Sequence, residues 1–512
     1  MAFNSYGFVL VFLPVTVLAY WLWARLCPGR GRLILLIGAS LFFYALAARG
    51  ALVLLLASIT LNFLGSRLIL ASSGKARHAW LSAGVSANIL LLLYFKYSGF
   101  LLANMGLVSM ASPLRDIILP LGISFFTFQQ IAFLVDTARA RIGPAHPLTY
   151  GASILFFPTI LAGPITYYRE FAPQAEADPD RGLIGTHVGV GAILLALGLF
   201  KKVVIGDSLA LWVDPLFAAA GAGQEMGMLL AWSMAVGYLL QLYFDFSGYS
   251  DMALGCARMV GIRLPLNFFS PMRVTSIIDW WRRWHMSLGR FVGDYIFQPL
   301  ALPLTRWAMR RRLGRWPVHI LSVLVPTFIA MFIVGAWHGG NWTFMVFGLL
   351  HALFMVVAEG WRFLRRKSRR KTVSRGAKIA GNCATLSAVL ITMIPFRAPD
   401  MATTMHLWEA MIGLGNAGAP VVWGALPGLG ATGYGLMMLL AAAIVFLLPN
   451  SAQFLGKFDP ALAWAAWRGQ ARPCLNLSFA PRLAWTIPLG VLFFLGLAFI
   501  SRGSGGFVYA GY

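Results

Sequence analysis

Acidic residues are scarce in this sequence, which has 17 aspartates and glutamates against 41 lysines and arginines over 512 residues. All charged residues together make up 11% of the chain, whereas hydrophobic residues make up 59%. A soluble globule of this size needs far more polar surface than this. The composition therefore excludes a soluble protein and predicts one that lies in a lipid bilayer.

Cysteine is also rare. The four cysteines, Cys27, Cys256, Cys383 and Cys474, show no paired spacing, which argues against a disulfide framework or a zinc site. No cluster of His, Cys, Asp or Glu has the spacing of metal ligands, so we predict no metal and no bound cofactor. The sequence has no phosphate-binding glycine loop and no dinucleotide fingerprint. It also lacks a convincing internal repeat, which weighs against transporters built from duplicated halves.

Long apolar runs are abundant. Runs of about 17 to 25 residues can cross a hydrocarbon core roughly 30 Å thick. Such runs lie near 6–24, 33–48, 51–70, 79–95, 117–135, 149–165, 188–205, 226–244, 318–336, 342–360, 379–396, 433–448 and 484–500. Pro120, Pro158 and Pro164 interrupt some of them, which favours re-entrant segments there. We therefore predict an all-α polytopic membrane protein with about 11 to 13 transmembrane or re-entrant helices. Residues 1–512 are expected to form a single integral membrane domain, with a core at about 117–360 and C-terminal helices at about 379–500.

Basic residues flank these runs unevenly. No charged side chain precedes the first run, whereas Arg25, Arg30 and Arg32 follow it, and the positive-inside rule then predicts a periplasmic N-terminus. Two denser clusters should also be cytoplasmic: Arg306, Arg310, Arg311, Arg312 and Arg315, then Arg362, Arg365, Arg366, Lys367, Arg369, Arg370, Lys371, Arg375 and Lys378. The net charge of +24 thus marks topology and attracts anionic membrane lipid. No soluble domain remains to bind nucleic acid.

A histidine stands within one of the apolar hairpins, in the stretch GAWHGGNW at 335–342. Two crossings of about 20 residues each fit between Arg315 and Arg362 and leave only a short turn. His338 should therefore lie at the hairpin end that is remote from the cytoplasm. Ionisable groups in lipid-buried segments are costly and usually mark function.

The neighbours of this histidine suggest how a site could form around it. Gly339 and Gly340 would allow a sharp turn and a close approach of substrate. Trp337 and Trp342 could wall the site, and Asn341 offers a further hydrogen-bond donor.

A second histidine lies in the stretch DWWRRWHMSLGRF. If its first ten residues form a helix, Trp281 and His285 share a face, and Arg282 is a neighbour of His285. Asp279 can pair with Arg282 or Arg283, which would leave one arginine to face a ligand. We predict that His285 belongs to the same site as the first histidine.

Two carboxylates in the apolar stretch QLYFDFSGYSDMALG, Asp245 and Asp251, are weaker candidates for substrate binding. Structural bridging between helices explains them equally well. The remaining histidines lie near predicted loops or helix ends, where a solvated or hydrogen-bonded ring needs no function; they are His78, His146, His187, His319, His351 and His406.

Several motifs in this order resemble the membrane-bound O-acyltransferase (MBOAT) family. They are LPLGISFFTFQQIAFLVD, FFPTILAGPI, YFDFSGYSDMALG, LNFFSP, WWRRWHMSL and GAWHGGNW. The likeness is strongest to the bacterial branch that acts in alginate O-acetylation, and a D-alanyl transferase of teichoic acid is a more distant relative. The resemblance extends from about Phe8 to Asn450.

The resemblance implies a ring of helices around a central tunnel, in a protein of the bacterial inner membrane. It also implies that His338 is catalytic and that His285 lies nearby along the tunnel. An imidazole titrates close enough to neutrality to remove the proton of an attacking hydroxyl. His338 is therefore the candidate base, and His285 could stabilise charge, orient the first ring or relay protons. Direct attack by the acceptor is preferred, and a transient acyl-histidine stays open.

Acetyl-CoA is the acyl donor that the resemblance implies. Its phosphates would lie on the cytoplasmic side, where Arg306 to Arg315, Lys201 and Lys202 offer positive charge. The acetyl group would then pass to a periplasmic or membrane-anchored partner enzyme that modifies an exopolysaccharide such as alginate or cellulose.

Two alternatives stay open at this point. The buried polar groups could belong to a transporter or flippase of a lipid-linked or acyl-carrier substrate. Within the enzyme class, the acceptor could be a lipid or protein hydroxyl.

Overall fold

The helices of this protein are seen in a computed structural model that describes residues 2–27, 29–107, 119–178, 180–365, 374–415 and 430–502. These residues form helices and connecting loops and include no strand, so the all-α prediction is confirmed. In the first half, helices α1 to α10 are Leu13–Leu26, Gly31–Ala48, Leu52–Ala71, Gly74–Asn104, Ile123–Ala138, Pro147–Leu155, Tyr168–Glu176, Ile184–Leu199, Asp207–Gly221 and Met228–Met259. In the second half, α11 to α21 are Ile277–Arg283, Met286–Val292, Gln298–Arg310, Arg315–His319, Val325–His338, Trp342–Leu364, Arg375–Arg397, Met401–Met411, Gly430–Leu447, Ser451–Phe454 and Thr486–Phe499.

Nine helical segments in these ranges are long and apolar enough to cross a membrane. They are Gly7–Leu26, Gly31–Ala71, Gly74–Asn104, Arg181–Gly221, Met228–Met259, Arg315–His338, Trp342–Leu364, Arg375–Arg397 and Gly430–Leu447. The 41-residue segment Gly31–Ala71 comprises α2 and α3, because Ala48 leaves the helical region with a φ of −155°. The chain is thus a multi-pass membrane protein.

The predicted run at 149–165 is not a crossing helix. Helix α6 ends at Leu155, and Pro158 and Pro164 follow in an irregular segment that is almost entirely buried. Its backbone finds side-chain partners: the Phe157 N–H donates to Ser40 Oγ at 3.0 Å, and the Ile165 N–H donates to Ser287 Oγ at 3.0 Å. Irregular backbone is tolerated at membrane depth only where protein covers it, and here the segment supports the centre of the molecule.

Helices α8 and α10 approach each other closely through glycines. A Cβ atom at Gly198 would lie 2.5 Å from the Gly248 carbonyl oxygen, and one at Gly191 would lie 2.6 Å from the Gly255 carbonyl oxygen. Both distances are far below normal contact, so any larger residue would push the helices apart. Small residues at such crossings let intramembrane helices gain dispersion contacts that lipid cannot replace.

Basic residues after α1 and around the α3–α4 turn lie on one face of the molecule. Arg30, in the turn after α1, pairs with Glu176 at the end of α7. The Thr149 hydroxyl donates to the same carboxylate, and Arg67 and Arg77 bond to the backbone of the α5–α6 region. Residues 366–373, which hold most of the second basic cluster, lie outside the described residues.

The centre of the molecule is built from two short helices, α11 and α12, rather than from long ones. They lie among four long helices, α10, α15, α16 and α17, whose side chains meet theirs around one cavity. Helices α15 and α16 form a tight hairpin, because a Cβ atom at Gly348 would lie 2.8 Å from the Gly335 Cα atom. This packing fixes the hairpin turn that contains the first candidate histidine.

Candidate active site

His338 is the last residue of α15, at the turn of the α15–α16 hairpin, as predicted. Its side chain is 3% exposed and lies among aromatic rings. The ring centroid of Phe396 is 4.7 Å away and that of Phe347 is 5.6 Å away, both edge to face. The imidazole is thus held in an almost dry aromatic box, where its polar interactions are strong.

His285 does not continue a helix from Asp279, so the predicted single helix over these residues is wrong. Helix α11 ends at Arg283, and Trp284 is extended. His285 has a φ of +46° and a ψ of +53°, in the left-handed region that residues other than glycine seldom occupy. Such conformations persist only where the surroundings enforce them, and they are common at functional sites.

Hydrogen bonds next to His285 and a ring contact hold it in this conformation. The Met286 N–H donates to the Asn267 backbone carbonyl at 2.9 Å, and the Ser287 hydroxyl donates to Asn267 Oδ1 at 2.6 Å. The Phe246 ring contacts the imidazole edge to face with centroids 4.8 Å apart. Burial lowers the pKa of His285, because an imidazolium here would lose its water of hydration.

The two histidines line one cavity. Its other lining residues are Leu242, Trp281, Trp284, Leu288, Phe347, Met393 and Phe396. The cavity volume is about 10 Å³, which is space for roughly one water molecule. Although the backbone of residues 279–288 differs from the prediction, the structure brings His285, His338 and Trp281 together.

Trp337 lies beside both imidazoles. Its ring centroid is 6.2 Å from that of His285 and 4.9 Å from that of His338. Lys96 of helix α4 places its ammonium 5.3 Å from the centre of a Trp337 ring. Lys96 was not predicted to belong to the site, because it lies just beyond the predicted apolar run 79–95. An ionisable residue inside the long helix α4 is a signal that could have found it.

The rest of the GAWHGGNW motif has structural partners. Trp342 is 56% exposed and donates to Asn104 Oδ1. It was predicted to wall the site, but it does not line the cavity. Asn341 caps α16 through the Thr343 N–H and donates to the Pro399 carbonyl oxygen.

Two of the three glycines of the motif, Gly339 and Gly340, are required by close packing at the turn. A Cβ atom at Gly339 would lie 2.6 Å from Phe344 Cε2, and one at Gly340 would lie 2.8 Å from Phe100 Cβ. Neither glycine lies in the left-handed region, and Gly339 is extended with a φ of 176°. They therefore allow the turn to pack against α4 and α16. This role differs from the predicted one, in which the glycines let a substrate approach the backbone closely.

A larger cavity of about 710 Å³ lies next to the small one. Trp281 and Leu288 line both cavities and therefore separate them. Arg282, Arg290 and Glu359 give the larger cavity its charged groups. It extends along the half of α15 and α16 that leads to the basic clusters.

The arginines around this cavity differ in their partners. Arg283 pairs with Asp279 at 3.2 Å and Arg290 pairs with Glu170 at 2.6 Å. Arg282 is exposed and forms no ion pair with the residues that the structure describes. Asp279 was predicted to pair with Arg282 or Arg283. It pairs with Arg283, so Arg282 is the arginine that is left to face the cavity.

Asp245 and Asp251 lie apart from the histidine cavity. Lys202 contacts Asp245 at 2.5 Å and Asp207 at 2.6 Å, and Lys201 contacts Asp251 at 2.6 Å. The buried Lys202–Asp245 pair and the partly buried Lys201–Asp251 pair bridge α10 to the segment between α8 and α9. Each lysine and carboxylate neutralises the other, as buried charges must, so this geometry matches the structural alternative that the sequence left open.

His351 was expected to lie near a loop or a helix end with no role in the site, but it lies within α16 beside the cavity. It is buried, and its Nδ1 atom accepts a hydrogen bond from the Trp281 indole at 3.3 Å. Its Nε2 atom lies 3.0 Å from the Thr392 hydroxyl. Its position thirteen residues after His338 on the inner face of an amphipathic helix was the available signal. Among the described residues, no group of three His, Cys, Asp or Glu side chains could hold a metal ion, and the absence of a bound metal stays a prediction.

Comparison with known proteins identifies the family. The model of the membrane-bound O-acyltransferase family matches residues 53–396. A peptidoglycan O-acetyltransferase of Helicobacter pylori is 34% identical over 443 residues, which cover 81% of this chain and 80% of that protein. A probable alginate O-acetylase AlgI of Pseudomonas aeruginosa is 32% identical over 427 residues, or 81% of this chain and 76% of that protein.

A more distant similarity links the chain to a teichoic acid D-alanyltransferase of Streptococcus thermophilus. The two are 29% identical over 265 residues, which cover 51% of this chain and 60% of that protein. The names of all three relatives describe transfer of an acyl group, which decides against the transporter alternative. With two buried histidines around one cavity and a family match over most of its length, the chain belongs to the membrane-bound O-acyltransferase family and is an acyltransferase.

Proposed function

We propose that this protein takes an acetyl group from acetyl-CoA at the cytoplasmic face of the bacterial inner membrane and passes it across for the O-acetylation of an extracytoplasmic polysaccharide. The observation that carries this proposal is the adjacency of the two cavities. A donor in the larger cavity can present its thioester to His285 and His338 only past Trp281 and Leu288.

The donor side is assigned by charge. The larger cavity runs toward the basic ends of α15 and α16, which the positive-inside rule makes cytoplasmic. Arg282 lines this cavity without a carboxylate partner among the described residues, so we assign it to the donor phosphates. Lys201 and Lys202 support this role poorly, because carboxylates already neutralise both.

The chemistry follows from the histidine pair. The acceptor hydroxyl loses its proton to His338 as its oxygen attacks the thioester carbonyl carbon. The carbon–sulfur bond then breaks, and the leaving thiolate takes up the proton that His338 had accepted, which returns the imidazole to its neutral form. His285 supports the same transition state by donating to the carbonyl oxygen or by orienting the base. No step of this route requires a metal.

The acceptor is proposed from the relatives. Their names refer to alginate and peptidoglycan, and a polysaccharide hydroxyl is therefore our first choice over a lipid or protein hydroxyl. An alginate- or cellulose-like exopolysaccharide is the proposed polymer, and peptidoglycan is the second candidate. A periplasmic or membrane-anchored enzyme would carry the acetyl group from this protein to the polymer.

Purified protein in lipid nanodiscs tests the donor and the base together. In the absence of the natural acceptor, water can take its place, so we expect slow hydrolysis of acetyl-CoA to acetate and free CoA, and we expect it to continue in the presence of chelators. His338→Gln should lower this turnover by about 10²- to 10⁴-fold, whereas His78→Gln, at an exposed histidine that bonds to the Gly74 carbonyl of its own helix, should leave it unchanged. Normal turnover by a well-folded His338→Gln protein would refute the proposal, as would activity that depends on added zinc.

A further inference from the structure

Trp281 separates the larger cavity from the histidine cavity, and its orientation is fixed by a chain of hydrogen bonds. The indole N–H can only donate, so His351 Nδ1 must accept. In the neutral ring the proton then resides on Nε2, which donates to the Thr392 hydroxyl at 3.0 Å. That hydroxyl donates in turn to the Val389 carbonyl oxygen at 2.6 Å.

This chain joins three helices with one direction of donation. It starts on α11 at Trp281, passes through His351 on α16 and ends on the backbone of α17. His351 and Thr392 are both buried, so water does not compete for these bonds. Rotation of the indole would leave buried polar groups without partners, which is costly. Trp281 is therefore held in one position at the boundary of the two cavities.

The space beyond Trp281 is very small. The histidine cavity holds about 10 Å³, and aromatic side chains form most of its wall. The Phe347 ring lies between His338, which ends α15, and His351, which is on α16. Its centroid is 5.6 Å from that of His338 and 4.6 Å from that of His351. An acetyl group has three heavy atoms and already exceeds this space, so the surrounding side chains must shift to admit it, and each added methylene must displace them further.

We propose that Trp281 limits the transferred acyl group to acetyl, and that His351 and Thr392 are positioning residues that hold it there. This inference rests on the proposed function, because it takes the larger cavity as the path of the thioester. It adds the reason why a short acyl group is selected and names the residues that select it.

The test compares acetyl-CoA with butyryl-CoA as donors for the purified protein in nanodiscs. For the unaltered protein, kcat/KM should favour acetyl-CoA, since a misfit methylene in an apolar pocket is worth about 10- to 200-fold. Trp281→Phe removes the indole N–H and part of the ring, and the preference should fall about tenfold or more. Trp342→Phe is the matched control, because Trp342 also donates a hydrogen bond but lines neither cavity.

The positioning role is tested through Thr392. Thr392→Val keeps the shape but removes the acceptor of His351, so it should lower the donor preference, whereas Thr392→Ser should retain it. Thr385→Val is the control on the same helix, since Thr385 bonds only to the Gly381 carbonyl oxygen. A purely structural role would lower the turnover of both donors equally and leave their ratio unchanged.

The outcomes separate the inference from the function on which it rests. If the unaltered protein does not turn over acetyl-CoA, the proposed function fails. If it does, but Trp281→Phe keeps the original donor ratio, the inference is wrong. If Trp281→Phe does not fold, Leu288→Ala decides, because Leu288 lines both cavities without a side-chain hydrogen bond, and an unchanged ratio there would overturn the inference.

Discussion

At the scale of single residues, two buried imidazoles share one cavity but are held by different means. His338 ends a helix inside an aromatic box, whereas His285 is a left-handed residue between two short helices. The Trp337 ring lies beside both. The pair therefore has the geometry of groups that act on one bound substrate, and this is open to direct measurement.

Replacement of either histidine by glutamine should lower acetyl-CoA turnover by about 10²- to 10⁴-fold, the range typical of a positioned acid or base. The double variant His285→Gln/His338→Gln should lose much less than the product of the single losses, because residues that act as a unit are strongly non-additive. Steady-state kinetics on protein of checked abundance and thermal stability measures this. Independent, multiplicative losses would mean that the two rings serve separate steps.

Lys96 provides a second test at this scale. Its ammonium lies over a Trp337 ring, and such a contact contributes roughly 0.5–2 kcal/mol. Lys96→Met should therefore lower turnover about two- to thirtyfold, and Lys96→Arg should retain most of it, because the charge and the stacking remain. Lys75→Met, at an exposed lysine on the same helix, is the control. Equal turnover by Lys96→Met and the unaltered protein would show that the charge is dispensable.

At the scale of elements, the break between α11 and α12 is the feature on which the site depends. Asn267 supports this break from outside both helices, through its backbone carbonyl and through a side chain that bonds to Ser287 and Ser250. Because the chain turns there, His285 points into the cavity while Trp281 faces both cavities.

Asn267→Ala should cost about 1–3 kcal/mol of stability for each buried group that loses its partner, and it should lower turnover by releasing the backbone at His285. The control is Asn104→Ala, at an exposed residue near the hairpin turn that contains His338. Its free energy of unfolding should stay within about 0.5 kcal/mol of that of the unaltered protein. Thermal unfolding in detergent together with turnover checks both effects. Full activity of the Asn267→Ala protein would show that the function of His285 does not depend on Asn267.

Across the whole molecule, basic residues flank one end of the α15–α16 hairpin, and the turn with His338 lies at the other end. The turn bonds to Asn104 and Pro399, whereas the basic ends of the same hairpin point the other way. A tunnel between these two faces would link a cytoplasmic donor to an acceptor on the outside.

Cysteine labelling tests this orientation in a protein whose four native cysteines have been replaced. A cysteine at Ser374, at the start of α17, should react only with reagent on the cytoplasmic side. A cysteine at Ala2 should react from the periplasmic side, because the positive-inside rule places the charge-free N-terminus there. Modification of Ser374→Cys by an impermeant reagent in intact spheroplasts would reverse the orientation and the donor side with it.

Two conclusions could be drawn from the amino-acid sequence alone: this is an all-α membrane protein, and two of its histidines are unusual. Both follow from local properties, since the length of apolar runs and the cost of an ionisable group in lipid can be counted along the chain. The arginine distribution gave the orientation as a prediction in the same way. Even the prolines at 158 and 164 indicated that the run 149–165 would not be a regular helix.

Which polar groups are paired and which face the cavities could be read only from the packing of the helices. Lys201, Lys202, Asp245 and Asp251 look like binding residues in the sequence but neutralise one another across helices. The left-handed turn at His285 depends on Asn267, and the orientation of Trp281 depends on His351, 70 residues away. Such partners are brought together by packing between distant segments, and a local pattern of residues does not encode which of several donors and acceptors will meet.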